Sequence, residues 1–130
     1  MPSETEIFIT LLAMEHAALD RWGRGDPSGF LEISDEDVVY FDPFRERRVD
    51  GLPALSALYE SFRDQVQLES YEILNPKVQT WNGGAVLTFN YISTGKSGKI
   101  TRWNCTEVYR LTDAGWRIIQ THWSFTKAMG

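Results

Sequence analysis

The first part of the chain places apolar residues at the three- and four-residue intervals of a helix. Ser3 and Glu6 form a capping box, in which the two side chains accept hydrogen bonds from backbone N–H groups at a helix start. The apolar positions that follow predict one long helix, and they are Ile7, Phe8, Leu11, Leu12, Met14, Ala18, Leu19 and Trp22. Gly23 and Gly25 end this helix.

Two shorter helices and a strand follow before the pattern changes. Asp26-Pro27 combines an N-cap residue with a proline suited to the first turn, so we expect a short helix to about Ile33. Residues 38–41 are β-branched or aromatic and predict a strand, which Asp42-Pro43 ends. Pro53 opens a third helix, whose apolar stripe consists of Leu55, Leu58, Tyr59 and Phe62.

The second half of the chain alternates with a period of two, which is typical of strands. Turns containing glycine separate four long strands, which we expect at 68–81, 85–94, 99–111 and 116–126. Pro76 cannot donate to a strand ladder and predicts a bulge in the first of them. Helices followed by an antiparallel meander predict a single α+β domain over residues 1–130, with the helices on one face of a curved sheet.

The alternation also predicts which side chains face the helices. Apolar sets belong against the helices, so the inward set of the last two strands comprises Trp103, Cys105, Glu107, Tyr109, Ile119, Thr121, Trp123 and Phe125. Ile118 then belongs to the opposite, polar set. Leu87, Phe89 and Tyr91 are the inward residues of the preceding strand. Glu107 is the one acidic member of the inward set, which makes it a candidate for chemistry.

The opposite face of the sheet is polar but carries few charges. Neutral hydrogen-bonding side chains suit a hydrated contact between two copies of the chain, and therefore a homodimer. A plain solvated face is the alternative, since antiparallel sheets often face water on one side. The residues of this predicted dimer face are Asn90, Arg102, Asn104, Thr106, Gln120, His122 and Ser124.

Asp42 and Glu107 are the strongest candidates for catalysis. Asp42 shares the face of Tyr40 and Val38, two and four residues earlier. If that face is inward, two carboxyls point into an aromatic space, where one serves as an ionised base and the other as a protonated donor. Alternatively, Asp42 caps the turn before Pro43, and Glu107 pairs with an arginine.

Other polar residues carry weaker signals. His122 is expected to hydrogen-bond on the polar face, while His16 and Asp20 have helical spacing but give poor evidence for a metal. Cys105 is expected to be an inert core thiol. A basic loop after Asp42 is either solvated or forms a cavity rim that attracts an anionic ligand; its cations are Arg45, Arg47 and Arg48.

Composition narrows the class of protein. The net charge of −5 argues against a nucleic-acid partner, and no apolar run approaches the roughly 20 residues of a membrane span. The N-terminus lacks the basic start of a secretory signal, and a single cysteine fits a reducing compartment, so we expect a cytoplasmic protein. Aromatic residues make up 13% of the chain, which indicates a thick aromatic core or an aromatic-lined cavity.

Five short motifs occur in a recognisable order: Gly25-Asp26, Phe41-Asp42-Pro43, Val49-Asp50-Gly51, Thr106-Glu107-Val108-Tyr109 and the closing run from Gly115-Trp116 to His122-Trp123-Ser124. In this order and spacing, about residues 4–126 resemble the NTF2-like superfamily. The SnoaL-like and ketosteroid isomerase-like branches, together with the association domain of calcium/calmodulin-dependent kinase II, are the most similar. The resemblance implies a cystatin-like cone, in which a curved sheet wraps around one long and two shorter helices and encloses a pocket.

The resemblance also implies roles for particular residues. In ketosteroid isomerase the general base is an Asp in an Asp-Pro pair, which corresponds to Asp42, and the protonated carboxylic acid of the oxyanion hole corresponds to Glu107. A pocket tryptophan corresponds to Trp123. The tyrosine that completes that oxyanion hole has no counterpart, since Ala18 stands at its position. Relatives usually form dimers through the outer sheet face.

Two functional hypotheses follow. The first is a cofactor-independent isomerase or cyclase, without a metal, that acts on a small apolar or aromatic molecule with Asp42 and Glu107. Its pocket would be lined by Trp22, Tyr40, Tyr59, Phe62, Phe89, Tyr91, Trp103, Tyr109 and Trp123. The second is a non-catalytic ligand-binding or oligomerisation module, because shared fold does not imply shared activity.

Overall fold

The computed structural model describes residues 2–127, in which helices cover one face of a curved sheet. The helices are α1 (Glu4–Gly23), α2 (Ser28–Glu32) and α3 (Leu52–Glu60). The strands are β1 (Ser34–Phe41), β2 (Val49–Asp50), β3 (Leu68–Trp81), β4 (Gly84–Gly95), β5 (Ile100–Thr112) and β6 (Gly115–Phe125). The α+β class and the four long strands are therefore confirmed, while the two-residue strand β2 was not predicted.

Helix α1 begins as the capping box predicts. The Glu6 backbone N–H donates to Ser3 Oγ at 3.1 Å, and the Ser3 N–H donates to Glu6 Oε1 at 3.4 Å. The buried positions of the helix are Ile7, Leu11, Glu15, Ala18 and Leu19. Their three- and four-residue spacing places them on one stripe, which faces β3 and α2.

Helix α2 begins one residue later than the sequence predicts. Pro27 occupies the N-cap position in place of Asp26. The Asp26 carboxylate instead accepts the backbone N–H of Ser28 at 2.9 Å and pairs with Arg21 and Arg63 at 2.8 and 3.2 Å. Because these arginines come from α1 and from just beyond α3, the carboxylate ties the three helices together at this corner.

The sheet has the strand order β2-β1-β6-β5-β4-β3. Strands β3 to β6 form the predicted antiparallel meander. Strand β1 joins this meander along β6 in the parallel direction. A parallel neighbour requires a long connection, and here the whole chain from β2 to β5 separates the two strands. This pairing brings the end of β1, with Asp42 just beyond it, to the inner face beside Trp123.

Two of the register shifts in the sheet bear directly on the sequence predictions. The β3–β4 register shifts between Leu74 and Lys77, which confirms the bulge expected at Pro76. A second shift lies in the β5–β6 pair, where Val108 pairs with Gln120 and Tyr109 with Ile118. This bulge leaves one extra residue, Ile119, and reverses the alternation beyond it. The predicted facing was therefore wrong here: Ile118 is fully buried in the core.

Helices α1 and α3 pack against opposite parts of the sheet, α1 on β3 and α3 on β1. The core lies between the helices and the inner face of the sheet, and five of its residues also line a cavity: Leu19, Phe30, Tyr40, Tyr59 and Tyr91. Within residues 2–127, no helix is long and apolar enough to cross a membrane.

Candidate functional site

A cavity of about 420 Å³ lies between the C-terminal end of α1, helix α3 and the inner face of the sheet. Small-molecule sites typically have volumes on the order of 300–1,000 Å³. Seven predicted pocket residues line it: Trp22, Tyr40, Tyr59, Phe62, Tyr91, Trp103 and Trp123. Phe89 and Tyr109 do not, because both are buried in the core, where the Phe89 ring packs behind Trp123 with a centroid distance of 5.9 Å.

The aromatic walls support one another. Trp123 packs edge-on against Trp103 and Tyr91, with ring centroids 6.0 and 5.3 Å apart. On the opposite wall, Tyr59 contacts Trp22 and Tyr40 at 5.2 and 5.4 Å. Tilted and edge-on contacts of this kind are favourable beyond the area they bury, by about 0.5–1.5 kcal/mol per pair. The rings hold each other in place around the cavity.

Sequence reasoning missed six lining residues, which are Leu19, Phe30, Phe44, Val66, Leu68 and Ser93. Arg45 also lines the cavity, in agreement with the rim alternative for the basic loop. Phe44 is the most informative, because its side chain is 67% exposed and yet lines the cavity. Its ring contacts Phe125 and Trp103 at centroid distances of 5.6 and 6.0 Å. The loop after Asp42 therefore forms the mouth of the cavity. In the sequence, the charged residues around Phe44 favoured an exposed loop and gave no sign that its ring lines a cavity.

Asp42 places a carboxylate in this apolar wall. Its side chain is 5% exposed and lines the cavity together with Tyr40. The Tyr40 hydroxyl donates to Oδ2 at 2.9 Å, and the Phe44 backbone N–H donates to Oδ1 at 2.8 Å. Arg45 Nε lies 3.3 Å from Oδ2. Both interpretations of Asp-Pro therefore apply, since Asp42 caps a turn and also faces the cavity.

The Tyr40 hydroxyl is held as a donor. Burial, and next the charge of Asp42, raise the pKa of Tyr40 far above its ordinary value. Burial raises the pKa of Tyr59 as well, with a further contribution from Tyr40. Both phenols consequently keep their protons at physiological pH, and the Tyr40 proton is directed to the Asp42 carboxylate.

Glu107 is fully buried, but it is not part of the cavity lining. It lies instead in a cluster with Cys105 and Glu15, in which one potential ligand atom from each residue lies within 4.8 Å of the others. The Cys105 thiol donates to Glu107 Oε1 at 3.6 Å. None of the ion pairs found between residues 2 and 127 includes Glu107, so the expected arginine partner is also not seen.

Glu15 is the functional candidate that sequence reasoning overlooked. Burial, followed by the charge of Glu107, raises the pKa of the Glu15 carboxyl well above its ordinary value. Burial also raises the pKa of Glu107. These shifts favour the protonated form of the pair, since two buried carboxylates without a cation are unfavourable. The sequence contained a signal for the burial of Glu15. This residue follows Ile7 and Leu11 at four-residue intervals and so lies on the apolar stripe of the helix.

The comparison with known protein families decides the classification. Residues 16–128 match the SnoaL-like domain. The chain belongs to the SnoaL-like family. None of the curated proteins compared with it matches significantly.

Solved structures place this SnoaL-like chain in the NTF2-like fold. A candidate ketosteroid isomerase from Parabacteroides distasonis is 40% identical, covering 92% of this chain and 88% of its own, with a TM-score of 0.82. An NTF2-like protein of unknown function from Pseudomonas putida is 18% identical, covering 98% and 92%, with a TM-score of 0.85. The association domain of the C. elegans kinase II is 16% identical, covering 93% and 97%, with a TM-score of 0.77. The last two similarities show the fold alone.

The remaining candidates of the SnoaL-like chain lie outside the cavity. His122 is exposed on the outer face, where its ring lies 5.0 Å from that of Phe41. His16 Nδ1 lies 3.1 Å from the Tyr71 hydroxyl, which donates to Asp20 at 2.6 Å. These contacts account for both histidines without assigning either a catalytic role.

Among residues 2–127, one group of three potential metal ligands is found, and it consists of Glu15, Cys105 and Glu107. To bind a divalent cation, both carboxyls and the thiol would have to lose their protons. Burial raises the pKa of all three groups and so opposes that loss. The chemistry of this donor set therefore fits protons better than a metal ion.

We predict that replacing Glu15 by Gln changes how stability depends on pH. Above about pH 4.3, unfolded glutamates release protons that the folded pair retains, so wild-type stability falls by up to about 1.4 kcal/mol per pH unit for each such group. A glutamine side chain at this position cannot ionise and has nearly the same size and shape as glutamate. The free energy of unfolding of E15Q, measured with urea, should therefore rise relative to wild type between pH 4 and pH 8.

The matched control is Glu72→Gln, because the Glu72 side chain is exposed on β3. Its difference from wild type should stay constant across the same pH range. Parallel stability curves for wild type and E15Q would show that the buried pair does not retain protons on folding.

Proposed function

We propose that this SnoaL-like protein binds a small apolar or aromatic molecule in the cavity and transfers a proton on it, with Asp42 as the base and no cofactor. One observation carries the proposal: a carboxylate, almost shielded from water, stands in a cavity whose other walls are mainly aromatic. The 40% identity to a candidate ketosteroid isomerase supports the same chemistry. The reaction class is isomerisation or cyclisation beside a carbonyl group.

The residues of the cavity suggest how such a step runs. The Asp42 carboxylate removes a proton from a carbon beside a carbonyl group and returns it at another carbon, while Tyr40 and the Phe44 N–H fix its orientation. The developing enolate needs a donor. Trp103 Nε1 donates to Ser93 Oγ at 3.4 Å, which leaves the Ser93 proton free to point to the substrate oxygen.

This arrangement departs from the one that the family resemblance implies. Ala18 is buried at the position of the missing tyrosine, and Glu107 lies behind the wall with Glu15 rather than in the lining. We therefore assign the donor role to Ser93 and retain Asp42 as the base. Glu107 then contributes to the polar cluster behind the cavity and does not touch the substrate.

The isomerisation of 3-cyclohexen-1-one to the conjugated 2-cyclohexen-1-one, followed by ultraviolet absorbance, tests the proposal. Asp42→Asn should lower the rate by roughly 10²–10⁴-fold, the range typical of a lost general base. The amide oxygen can still accept from Tyr40, so the thermal unfolding midpoint should change little. Asp50→Asn is the control, because Asp50 is an exposed acid paired with Arg48 at the base of the same loop.

An Asp42→Asn variant that isomerises the ketone as fast as wild type would remove Asp42 from the mechanism. A wild-type protein without measurable isomerisation of this ketone would count against catalysis and leave ligand binding as the function to test.

A second candidate function is assembly through the outer sheet face. The Asn90 amide donates to Asn104 Oδ1 at 2.8 Å, and the Asn104 amide donates to Ser124 Oγ at 3.1 Å. Three adjacent strands thus present one ordered polar network, which suits a hydrated symmetric contact. The fold likeness to kinase association domains adds to this candidate.

For the assembly candidate, sedimentation equilibrium at micromolar concentration should give the mass of a dimer. Asn104→Arg should shift it to a monomer, since a two-fold contact brings the added charges together. Asn82→Arg adds the same charge at the exposed β3–β4 turn and should remain dimeric. A monomeric wild type, or a dimer that tolerates Asn104→Arg, would contradict assembly through this face.

A further inference from the structure

Arg45 gives the cavity one cationic side chain, counted over the described part of the chain. Its guanidinium lies over the ring of Phe62, 5.5 Å from the centroid, at the mouth formed by the loop after Asp42. The side chain is only 32% exposed. A cation–π contact of this kind holds the guanidinium near the ring without using any of its N–H groups.

The terminal nitrogens of Arg45 have no hydrogen-bond acceptor among residues 2–127, which distinguishes it from its neighbours. Arg21 binds the two carboxylate oxygens of Glu32 with its two terminal nitrogens, at 3.0 Å each. Arg63 likewise binds Glu60 and Ser28. The closest approach of Arg45 to Asp42 is through Nε, at 3.3 Å. The guanidinium therefore keeps a pair of parallel donors, the geometry that binds a carboxylate in a bidentate manner.

Asp42 does not depend on Arg45 for its hydrogen bonds. Tyr40 donates to one carboxylate oxygen and the Phe44 N–H to the other. An incoming anion can therefore engage Arg45 without leaving Asp42 unpartnered. The overall charge of the chain is −5, so attraction of an anion to this mouth would be local rather than a property of the whole surface.

The rest of the cavity suits an apolar group. Trp22, Trp103 and Trp123 contribute rings to its walls, and Ser93 provides a hydroxyl. A molecule that satisfies both regions has an aromatic or alicyclic body and one anionic end. We propose that the cavity selects small ring-bearing carboxylic acids, an inference that rests on the ligand site proposed above. The ring would lie between the tryptophans, and the carboxylate would bind the terminal nitrogens of Arg45.

Calorimetric titration with 3-phenylpropionate and with 3-phenylpropionamide at pH 7 tests this specificity. The two probes share a ring and chain and differ in the charged end. Wild type should bind the acid roughly tenfold or more tightly than the amide, as expected for a bidentate charge-assisted contact. Arg45→Gln should bind both with similar affinity. Arg45→Lys should fall between them, since it keeps the charge and loses the paired donors.

Arg47→Gln is the control, because Arg47 is an exposed cation of the same loop and is not part of the lining. It should keep the full preference for the acid. Equal binding of acid and amide by wild type, or a preference that survives Arg45→Gln, would overturn the role of Arg45 while leaving the cavity as a ligand site. If wild type binds neither probe at millimolar concentration, the ligand site and this specificity both fail.

Discussion

The hydrogen bond from Tyr40 to Asp42 is the interaction on which the functional account depends. A carboxylate that is 5% exposed in an aromatic wall is unfavourable unless donors compensate for the water it has lost. The structure supplies the Tyr40 hydroxyl and the Phe44 backbone N–H, with Arg45 beside them. The parallel pairing of β1 with β6 and the turn after Pro43 bring these donors to one point. The site is thus a direct consequence of the sheet topology.

The protein treats its buried carboxyls in two opposite ways. Asp42 receives two hydrogen-bond donors, has Arg45 beside it, and lines the cavity. Glu15 and Glu107 lie together without a cation in the described part of the chain, and burial raises the pKa of both. One site therefore places a carboxyl against the cavity, and the other encloses two carboxyls inside the fold. This separation differs from the isomerase pattern, in which both carboxyls face the substrate.

The sequence predicted the elements well because their signals are local. The capping box, the glycine turns and the bulge at Pro76 each depend on neighbouring residues, and all three are found. Asp42 was placed correctly on the face of Tyr40, since alternation along a single strand suffices for that inference. The predictions that failed depend on features that the alternation of polar and apolar residues does not reveal. The bulge at Ile119 reversed the facing of Ile118, and the parallel partner of β1 could not be inferred.

The candidate site shows the same limit. Glu107 was correctly predicted to face inward. Inward-facing residues, however, include both those of the cavity wall and those of the core behind it. Only the position of α1 distinguishes these two groups. The actual neighbour of Glu107, Glu15, lies far away along the chain, on a helix whose stripe appeared wholly apolar. Phe44 lies in a charged loop, where the local pattern favours solvent exposure. For Arg45 the sequence left solvation and a cavity rim open, and the structure places its side chain in the lining.

We propose that a small molecule occupies the aromatic cavity, and the five tryptophans of the chain provide separate reporters of its binding. Trp22, Trp103 and Trp123 line the cavity, whereas Trp81 is exposed on a hairpin and Trp116 is buried elsewhere. Titration with 3-phenylpropionamide, followed through the five indole N–H signals by ¹H–¹⁵N NMR, tests the claim directly. We expect the first three signals to shift and the other two to stay in place. Shifts confined to Trp81 and Trp116, or none at all, would contradict it.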